Sequence, residues 1–464
     1  MKIDTELLEK TIRRVLAEMP PQPCSGGDGD GVFPDMKSAC DAAAEAARQY
    51  LTRSMADRRR YIAAIREVML KPENLDHMSV AAVQQTGMGD VAHKYLKNKA
   101  AAELTPGVED LVTEAYSGDD GLTTVEYSPF GVIGAITPTT NPTETITCNT
   151  IGMLAAGNSV VFSPHPRARD LSVWQIQEIN RALRAAGAPD NLVVTVTEPS
   201  IDNTNAMISH PDVRLIVATG GPGIVKTVLS SGKKAIGAGA GNPPVVVDET
   251  ADLDHAAKCI VDGASFDNNL PCTSEKEIVA VDAIADLLKF SMVKHGAYEL
   301  KADQVSALEK VILGERGPQT SWVGKPASAI LEAIGVEPPP GVRLLVCEVA
   351  EDHPFVVHEL MMPVIGLVRV PDVDTAIDLA CALEHGNRHT AIMHSKDVSK
   401  LTKMGKQIQT TIYVKNGPSF NGIGIGGEGH CTFTIAGPTG EGLTSAKSFA
   451  RRRRCVLVGD LNVR

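Results

Sequence analysis

Apolar residues recur along this 464-residue chain with two different periods, and the change from one to the other divides it. Ile3, Leu7, Leu8, Ile12, Val15, Leu16 and Met19 fall three and four apart, with Glu6, Glu9, Lys10, Arg13 and Arg14 between them. That pattern predicts an amphipathic helix over residues 1–19. The following run from Pro20 to Gly31 is rich in proline, glycine and aspartate, has nothing to pack, and reads as a flexible linker over 20–31. From Val32 to about Leu111 the pattern is helical and alanine-rich, with breaks expected at Pro72 and Pro106. Beyond it, short β-branched runs appear at Val132–Ile136, Ser159–Phe162, Leu192–Thr197 and Leu215–Thr219. They alternate with helical stretches such as Leu171–Ala186, closed by Gly187 as a C-terminal cap. A second series starts at Pro244 with Val245–Val247, Glu277–Val281, Leu344–Cys347, Ile365–Val370, Thr390–His394 and Ile412–Lys415. Strand–helix alternation on this scale predicts an α/β fold of open parallel sheets with helices on both faces.

Length adds that one ordinary core is too small for the chain, so two domains are expected. A net charge of -11 argues against a nucleic-acid binder, which needs a basic face. The one strongly basic run, Arg451-Arg452-Arg453-Arg454, reads as a solvated or intersubunit strand end, with a phosphate patch as the alternative. Nine cysteines lie singly, without Cys-x-x-Cys or His/Cys ligand spacing, so no metal site is expected and a reducing compartment fits. No apolar stretch is long enough to span a bilayer. The leading helix has mixed charge and no cleavage site after a long apolar core, so it is neither a secretory signal nor a transit peptide. Its apolar stripe either folds back on its own domain or docks on a partner protein.

Cys272 is the candidate reactive residue. It follows Asn268-Asn269-Leu270-Pro271, where Pro271 is expected to hold Leu270 extended and has no N–H of its own. The Cys272 N–H would then stand beside its own sulfur, a pairing suited to covalent chemistry on a carbonyl. A small buried hydrophobe is the competing reading, and local context does not separate the two. Thr219-Gly220-Gly221-Pro222-Gly223 follows a strand and opens a helix, as a pyrophosphate site requires, although an ordinary tight turn uses the same residues.

Taken together, Tyr127-Ser128-Pro129-Phe130-Gly131, Pro138-Thr139-Thr140-Asn141-Pro142, Ala155-Ala156-Gly157-Asn158, the glycine turn, Cys272 and Glu359-Leu360-Met361-Met362-Pro363 resemble the aldehyde dehydrogenase superfamily after residue 32. Gly237-Ala238-Gly239-Ala240-Gly241-Asn242-Pro243-Pro244, Ser163-Pro164-His165-Pro166, Lys415-Asn416-Gly417-Pro418-Ser419 and Pro438-Thr439-Gly440-Glu441-Gly442 resemble its CoA-acylating branch. With the leading helix, the likeness extends to the members that work in bacterial microcompartments on propanal or acetaldehyde.

The resemblance implies the aldehyde dehydrogenase fold, with two doubly wound open-sheet domains and a small oligomerisation arm. Its expected bounds are a targeting helix 1–19, a linker 20–31 and a NAD-binding domain 32–243 with an arm strand at about 120–128. A catalytic domain 244–430 and a return segment with the arm, 431–464, complete it. It implies Cys272 as nucleophile and Asn141 as oxyanion donor, against an Asx-type turn at Asn-Pro. Glu359 is the carboxylate that holds the nicotinamide ribose. The dinucleotide is expected against Thr137, Pro138, Thr139, Ser163, His165, Pro166, Thr219, Gly220, Gly221, Gly223, Ile224 and Gly239. His389 is a candidate proton acceptor, with a structural histidine as the alternative. NAD and coenzyme A are the implied cofactor and co-substrate. The partners are a short-chain aldehyde, shell or cargo proteins through residues 1–19, and further copies of the chain in a homodimer or homotetramer.

Three departures from the wider superfamily shape the expectation. Ala238 stands where hydrolytic members carry a water-activating glutamate, so a CoA thiol rather than water should accept the acyl group. Ser163 replaces the lysine that holds the adenosine ribose, and the loss of that cation disfavours the extra phosphate of NADP. Met361 replaces a phenylalanine, which could let the reduced nicotinamide leave. The alternatives are a hydrolytic dehydrogenase releasing free acid, or an inactive shell or scaffold component.

Overall fold

The computed structural model describes residues 30–460 except Arg316, so the expected helix 1–19 and nearly all of the linker 20–31 lie outside the described residues. The chain forms two compact units. One comprises residues 30–78, 97–238 and 430–460, and the other residues 79–96 and 239–429. The sequence bounds place residues 79–96 in the NAD-binding domain 32–243, apart from the catalytic domain 244–430 and the return segment with the arm 431–464. Instead residues 79–96 belong with the Cys272 unit. The cause is non-local and largely polar: Asp90 N–H donates to Asp267 Oδ1 at 2.7 Å, and Asn268 Nδ2 donates to Gly89 O at 3.1 Å, with Met88 packed against Leu270 and Val323 beside them. Apolar periodicity carries no trace of such bonds.

In the first unit, six parallel strands run in the order β1-β6-β5-β4-β7-β8. They are β1 (Val32–Phe33), β4 (Val132–Thr137), β5 (Ser159–Pro164), β6 (Val193–Val196), β7 (Val213–Thr219) and β8 (Lys234–Ala238). β4, β5 and β6 are buried at every position, as the strands of a sheet covered on both faces must be. Four helices follow β1 in the chain: α1 (Met36–Tyr50), α2 (Met55–Met69), α3 (Pro72–Thr86) and α4 (Val91–Leu104), the last two running across the unit boundaries at 78/79 and 96/97. Pro72 opens α3, where its missing N–H costs nothing. Asp35 caps α1 by accepting from Ser38 N–H at 2.9 Å. Met36, Ala39, Cys40, Ala43 and Ala47 then line one face against Val161, Val194 and Ile216 of the sheet. α5 (Pro142–Ala155) after β4 has no exposed face: all of its residues are buried. α6 (Arg169–Ala185), α7 (Ile201–Ser209) and α8 (Pro222–Leu229) complete the alternation. β8 has few β-branched residues and was missed. A Cβ on its Gly237 would meet Val225 of α8 at 2.8 Å, so helix and strand pack by way of that glycine.

The arm is an antiparallel sheet of β2 (Glu114–Gly118), β3 (Gly121–Pro129) and a strand at Ala450–Val458. The arginine run lies in the last of these, exposed, with Arg452 paired to Glu114 at 2.8 Å.

The second unit has seven parallel strands: β9 (Pro244–Val247), β10 (Glu277–Val281), β11 (Ala297–Glu299), β12 (Leu344–Glu348), β13 (Val364–Val370), β14 (Thr390–His394) and β15 (Ile412–Lys415). Their order is β11-β12-β13-β10-β9-β14-β15. Among the described residues no helix is long and apolar enough to cross a membrane.

Candidate active site

Four neighbouring strands of the second unit, β13, β10, β9 and β14, begin at one edge of the sheet, and the segments entering them carry the chemistry. Glu359 precedes β13, Cys272 precedes β10, Gly239 and Gly241 precede β9, and His389 immediately precedes β14.

The Cys272 loop is built on three successive left-handed residues, Asp267, Asn268 and Asn269, with φ of 49°, 53° and 64°. Asp and Asn tolerate this region better than other side chains. Each is held in place. Asp267 pairs with Lys94 at 3.1 Å, both fully buried, and its N–H donates to His93 Nδ1 at 3.1 Å. Asn268 Nδ2 donates to Gly324 O at 3.0 Å. Asn269 Nδ2 donates to Ala264 O at 2.8 Å and Glu275 O at 2.9 Å. Leu270, expected to be extended ahead of Pro271, is instead in the right-handed helical region at φ -71°, ψ -36°. Its side chain is buried with Met88 and Val323, with Met361 against them, and this packing outweighs the usual bias before proline. Cys272 itself is half-buried, accessible enough to react.

The glycine run before β9 exists for close approach. A Cβ on Gly241 would meet Cys272 O at 2.8 Å and His389 Cγ at 2.9 Å. Gly241 N–H also donates to the half-buried Glu359 carboxylate. Burial raises the Glu359 pKa, and Lys276 and the Gly241 N–H oppose the rise. His389 is buried. Its N–H donates to Glu384 Oε1 at 2.8 Å, and its Nδ1 lies 2.8 Å from Thr390 Oγ1. Burial, with the Lys276 charge, pushes its pKa down to about 4, so the imidazole is neutral near pH 7. Its buried Nε2 has no hydrogen-bond partner.

In the first unit Asn141 opens α5 but its side chain makes no capping bond, contrary to an Asx-type turn. Its Oδ1 accepts from Lys97 Nζ at 2.5 Å. Lys97 is paired with Glu144 at 3.0 Å, both fully buried. A donor-only ammonium on Oδ1 fixes the amide, so Nδ2 is the atom turned away from Lys97.

The expected dinucleotide residues gather at the carboxyl ends of adjacent strands: Thr137 ending β4 with Pro138 and Thr139 after it, Ser163, His165 and Pro166 at the end of β5, and Thr219 ending β7 with Gly220 to Ile224 after it. The chain leaves β4 for β5 on one side and returns as β7 on the other, which is the switch point where open sheets bind ligands. Gly221 caps α8 with no side-chain bond, and a Cβ on Gly221 or Gly223 would meet nothing within 4 Å. The first N–H groups of α8 therefore face an open cradle that suits a pyrophosphate. Ser163 Oγ is 2.8 Å from Thr204 Oγ1. Gly239 falls with the Cys272 unit rather than with these residues.

Lys97, Glu144, Lys276 and Glu277 escaped the sequence reading. For three of them a signal was there: Glu144 is the one charged residue of α5, and a Lys-Glu pair enters the apolar strand β10. Glu277 is fully buried, neither of its oxygens has a hydrogen-bond partner, and burial holds its pKa well above the ordinary value.

Comparison with known proteins agrees with this architecture. Residues 31–310 match the aldehyde dehydrogenase family. A propanal dehydrogenase (CoA-propanoylating) of Citrobacter freundii is 49% identical over 464 residues, 100% of each chain. The crystal structure of Rhodopseudomonas palustris propionaldehyde dehydrogenase with bound CoA and an acylated cysteine superposes with a TM-score of 0.93 at 64% identity, covering 94% of this chain and 100% of that one. A propionaldehyde dehydrogenase from the Clostridium phytofermentans fucose utilisation bacterial microcompartment gives 0.92 at 52% identity, again over 94% and 100%. The chain belongs to the aldehyde dehydrogenase family.

Proposed function

We propose that the protein oxidises a short-chain aldehyde, propanal before acetaldehyde, and transfers the acyl group to coenzyme A. The observation that carries this reading is the half-exposed Cys272 thiol on its clamped loop, beside glycine backbone, Glu359 and a neutral His389. The likeness to a relative with bound CoA and an acylated cysteine supports the same chemistry.

The Cys272 thiolate adds to the aldehyde carbon, and the Cys272 N–H donates to the oxyanion; by resemblance to the family, Asn141 Nδ2, fixed as a donor within its own unit, is assigned the second donor role. A bound nicotinamide dinucleotide supplies the hydride acceptor; the cradle at Gly220, Gly221 and Gly223, with Thr137 to Thr139, Ser163 to Pro166 and Ile224, would hold it, and the ribose-binding role of Glu359 is assigned by resemblance to the family. Loss of hydride leaves a thioester on Cys272. The CoA thiol then attacks that carbonyl, Cys272 leaves as thiolate, and acyl-CoA departs. His389 is positioned in its unit as a neutral base for the thiol proton. Ser163 puts no cation at the end of β5, which favours NAD over NADP.

The unpaired edge and exposed Val456, Leu457 and Val458 of the last arm strand fit pairing with a second copy, as a homodimer or homotetramer. Residues 1–19 address the enzyme to shell or cargo proteins of a microcompartment, in keeping with the origin of one relative. Cys272→Ala tests the core of the proposal: both aldehyde-dependent NADH formation and acyl transfer should be lost, while Cys381→Ala keeps them. Substantial turnover in Cys272→Ala would assign the nucleophile elsewhere.

A further inference from the structure

Lys276, four residues after the thiol, is almost fully buried and makes an unusual set of bonds. Its Nζ lies 2.9 Å from Asn269 O, 2.6 Å from Asn269 Oδ1 and 3.4 Å from Pro271 O. An ammonium has three N–H donors, and all three acceptors here belong to the turn that delivers Cys272. None of them carries charge. Among the described residues no carboxylate lies within ion-pair distance of Nζ, in contrast to Lys94 and Lys97, which are paired with Asp267 and Glu144.

We infer that Lys276 is the positioning residue of the nucleophile, fixing the Asn269–Pro271 peptides and serving as the buried counter-charge of the Cys272 thiolate. The inference rests on Cys272 being the nucleophile.

A buried cation without an ion-pair partner favours any anion that can form nearby. The charged and titratable groups around it are few. Glu359 enters from the segment before β13 and interacts most strongly with Lys276, followed by Cys272, Glu277 and Glu275, while His389 faces it from the start of β14. Burial holds the Glu277 pKa well above its ordinary value, and Lys276 opposes the rise. Glu275 accepts from Ser419 N–H at 2.8 Å on one oxygen and from Ser419 Oγ at 2.7 Å on the other, so each of its oxygens already has a donor. Glu384 accepts from the His389 N–H and acts on Glu277, and it is not among the groups that act on Lys276. That leaves the Cys272 thiolate and Glu359 to answer the charge. Burial alone lowers the Lys276 pKa, and these neighbours restore part of it.

The test is the pH dependence of Cys272 alkylation by iodoacetamide in the full-length enzyme, followed by mass spectrometry of the Cys272 peptide. The wild-type rate should rise with an apparent pKa at least about one unit below the ordinary thiol value near 8.5. Lys276→Met and Lys276→Gln should move that pKa up by about one unit or more, cutting the rate at pH 7 roughly tenfold. Lys276→Arg should keep it within a few tenths. In the same variants kcat should fall while the KM for aldehyde stays near wild type. A wild-type pKa at or above 8.5 overturns the inference, whatever the variants do. So does a neutral variant that melts earlier but alkylates with the wild-type profile, because the lysine would then only support the fold. Alkylation needs neither aldehyde nor CoA, so its outcome is separate from failure of the proposed reaction, which absence of CoA-dependent turnover would reveal.

Discussion

Lys97 Nζ stands 2.5 Å from Asn141 Oδ1, and the same ammonium is 3.0 Å from Glu144, with all three side chains buried. Asn141 is thus held by its acceptor end, which leaves only its N–H₂ end for chemistry. Asn141→Ala should lower kcat by roughly 10²–10³-fold, the usual cost of one oxyanion donor. Removing Lys97 alone would strand the Glu144 carboxylate, which is costly in a buried site. The informative variant therefore carries Lys97→Met with Glu144→Gln. It should lose about tenfold or more in kcat, because a freed amide can turn its oxygen toward a developing oxyanion. In an Asn141→Ala background the same pair should cost almost nothing further. Equal losses in both backgrounds would show that Lys97 and Glu144 act on packing and not through Asn141.

Acyl transfer should be selective for thiol. Ala238 ends β8 as a buried methyl group and brings no carboxylate to activate water. Without CoA, the enzyme should release at most about one NADH per active site and then stall as the thioester on Cys272. CoA should restart it. Rapid-quench or stopped-flow measurement of the first turnover decides the point, and sustained free acid without CoA would place the protein with the hydrolytic members.

Much of this was legible in the chain, and the gaps have physical causes. β4, β5, β10 and β14 read plainly because a doubly covered strand must be apolar at every position. The Cys272 loop was located but its shape was misjudged at Leu270, because the local bias before Pro271 is weaker than burying Leu270 with Met88 and Val323. The placement of residues 79–96 was invisible, since hydrogen bonds to Asp267 and Asn268 leave no period. Lys276 was overlooked for a similar reason: its partners are main-chain carbonyls, which every residue has. The arm strand could be placed at about 120–128 only by resemblance, and it spans Gly121–Pro129.

Stability should carry the signature of a buried neutral histidine. His394 ends β14 with both ring nitrogens buried and without partners, and burial pushes its pKa down to about 3. An unfolded histidine titrates near 6.5. Above that pH neither state is protonated and the group contributes nothing. As pH falls below 6.5 the unfolded chain gains a proton that the folded chain refuses, so folding stability is lost by up to about 1.4 kcal/mol per pH unit. Glu277 acts in the opposite sense: its raised pKa keeps a proton in the folded state that the unfolded state releases above about 4.3, so it adds stability as pH falls. A bare pH–stability curve mixes these two with other buried groups, His389 among them. The difference between His394→Leu and wild type isolates the histidine, and it should grow in favour of the variant from pH 7 to pH 5 in urea unfolding. A difference independent of pH would mean that the folded protein accommodates the charged ring.

The first 19 residues should govern location and leave catalysis alone. Their apolar residues lie at helical spacing, joined through a proline- and glycine-rich run that has nothing to transmit packing. Deleting residues 1–31 should therefore leave kcat and KM nearly unchanged. Leu8→Asp with Leu16→Asp puts two charges into the stripe, where a partner groove would have to desolvate them. That variant should stay active yet appear in the soluble fraction when shells are purified. A fluorescent protein fused to residues 1–19 alone should be carried into the same shells. If the fusion stays diffuse in cells with assembled shells while the truncated enzyme still co-purifies with them, the address lies in the folded body. The exposed end of the last arm strand, Val456 to Val458, would then be the first surface to mutate.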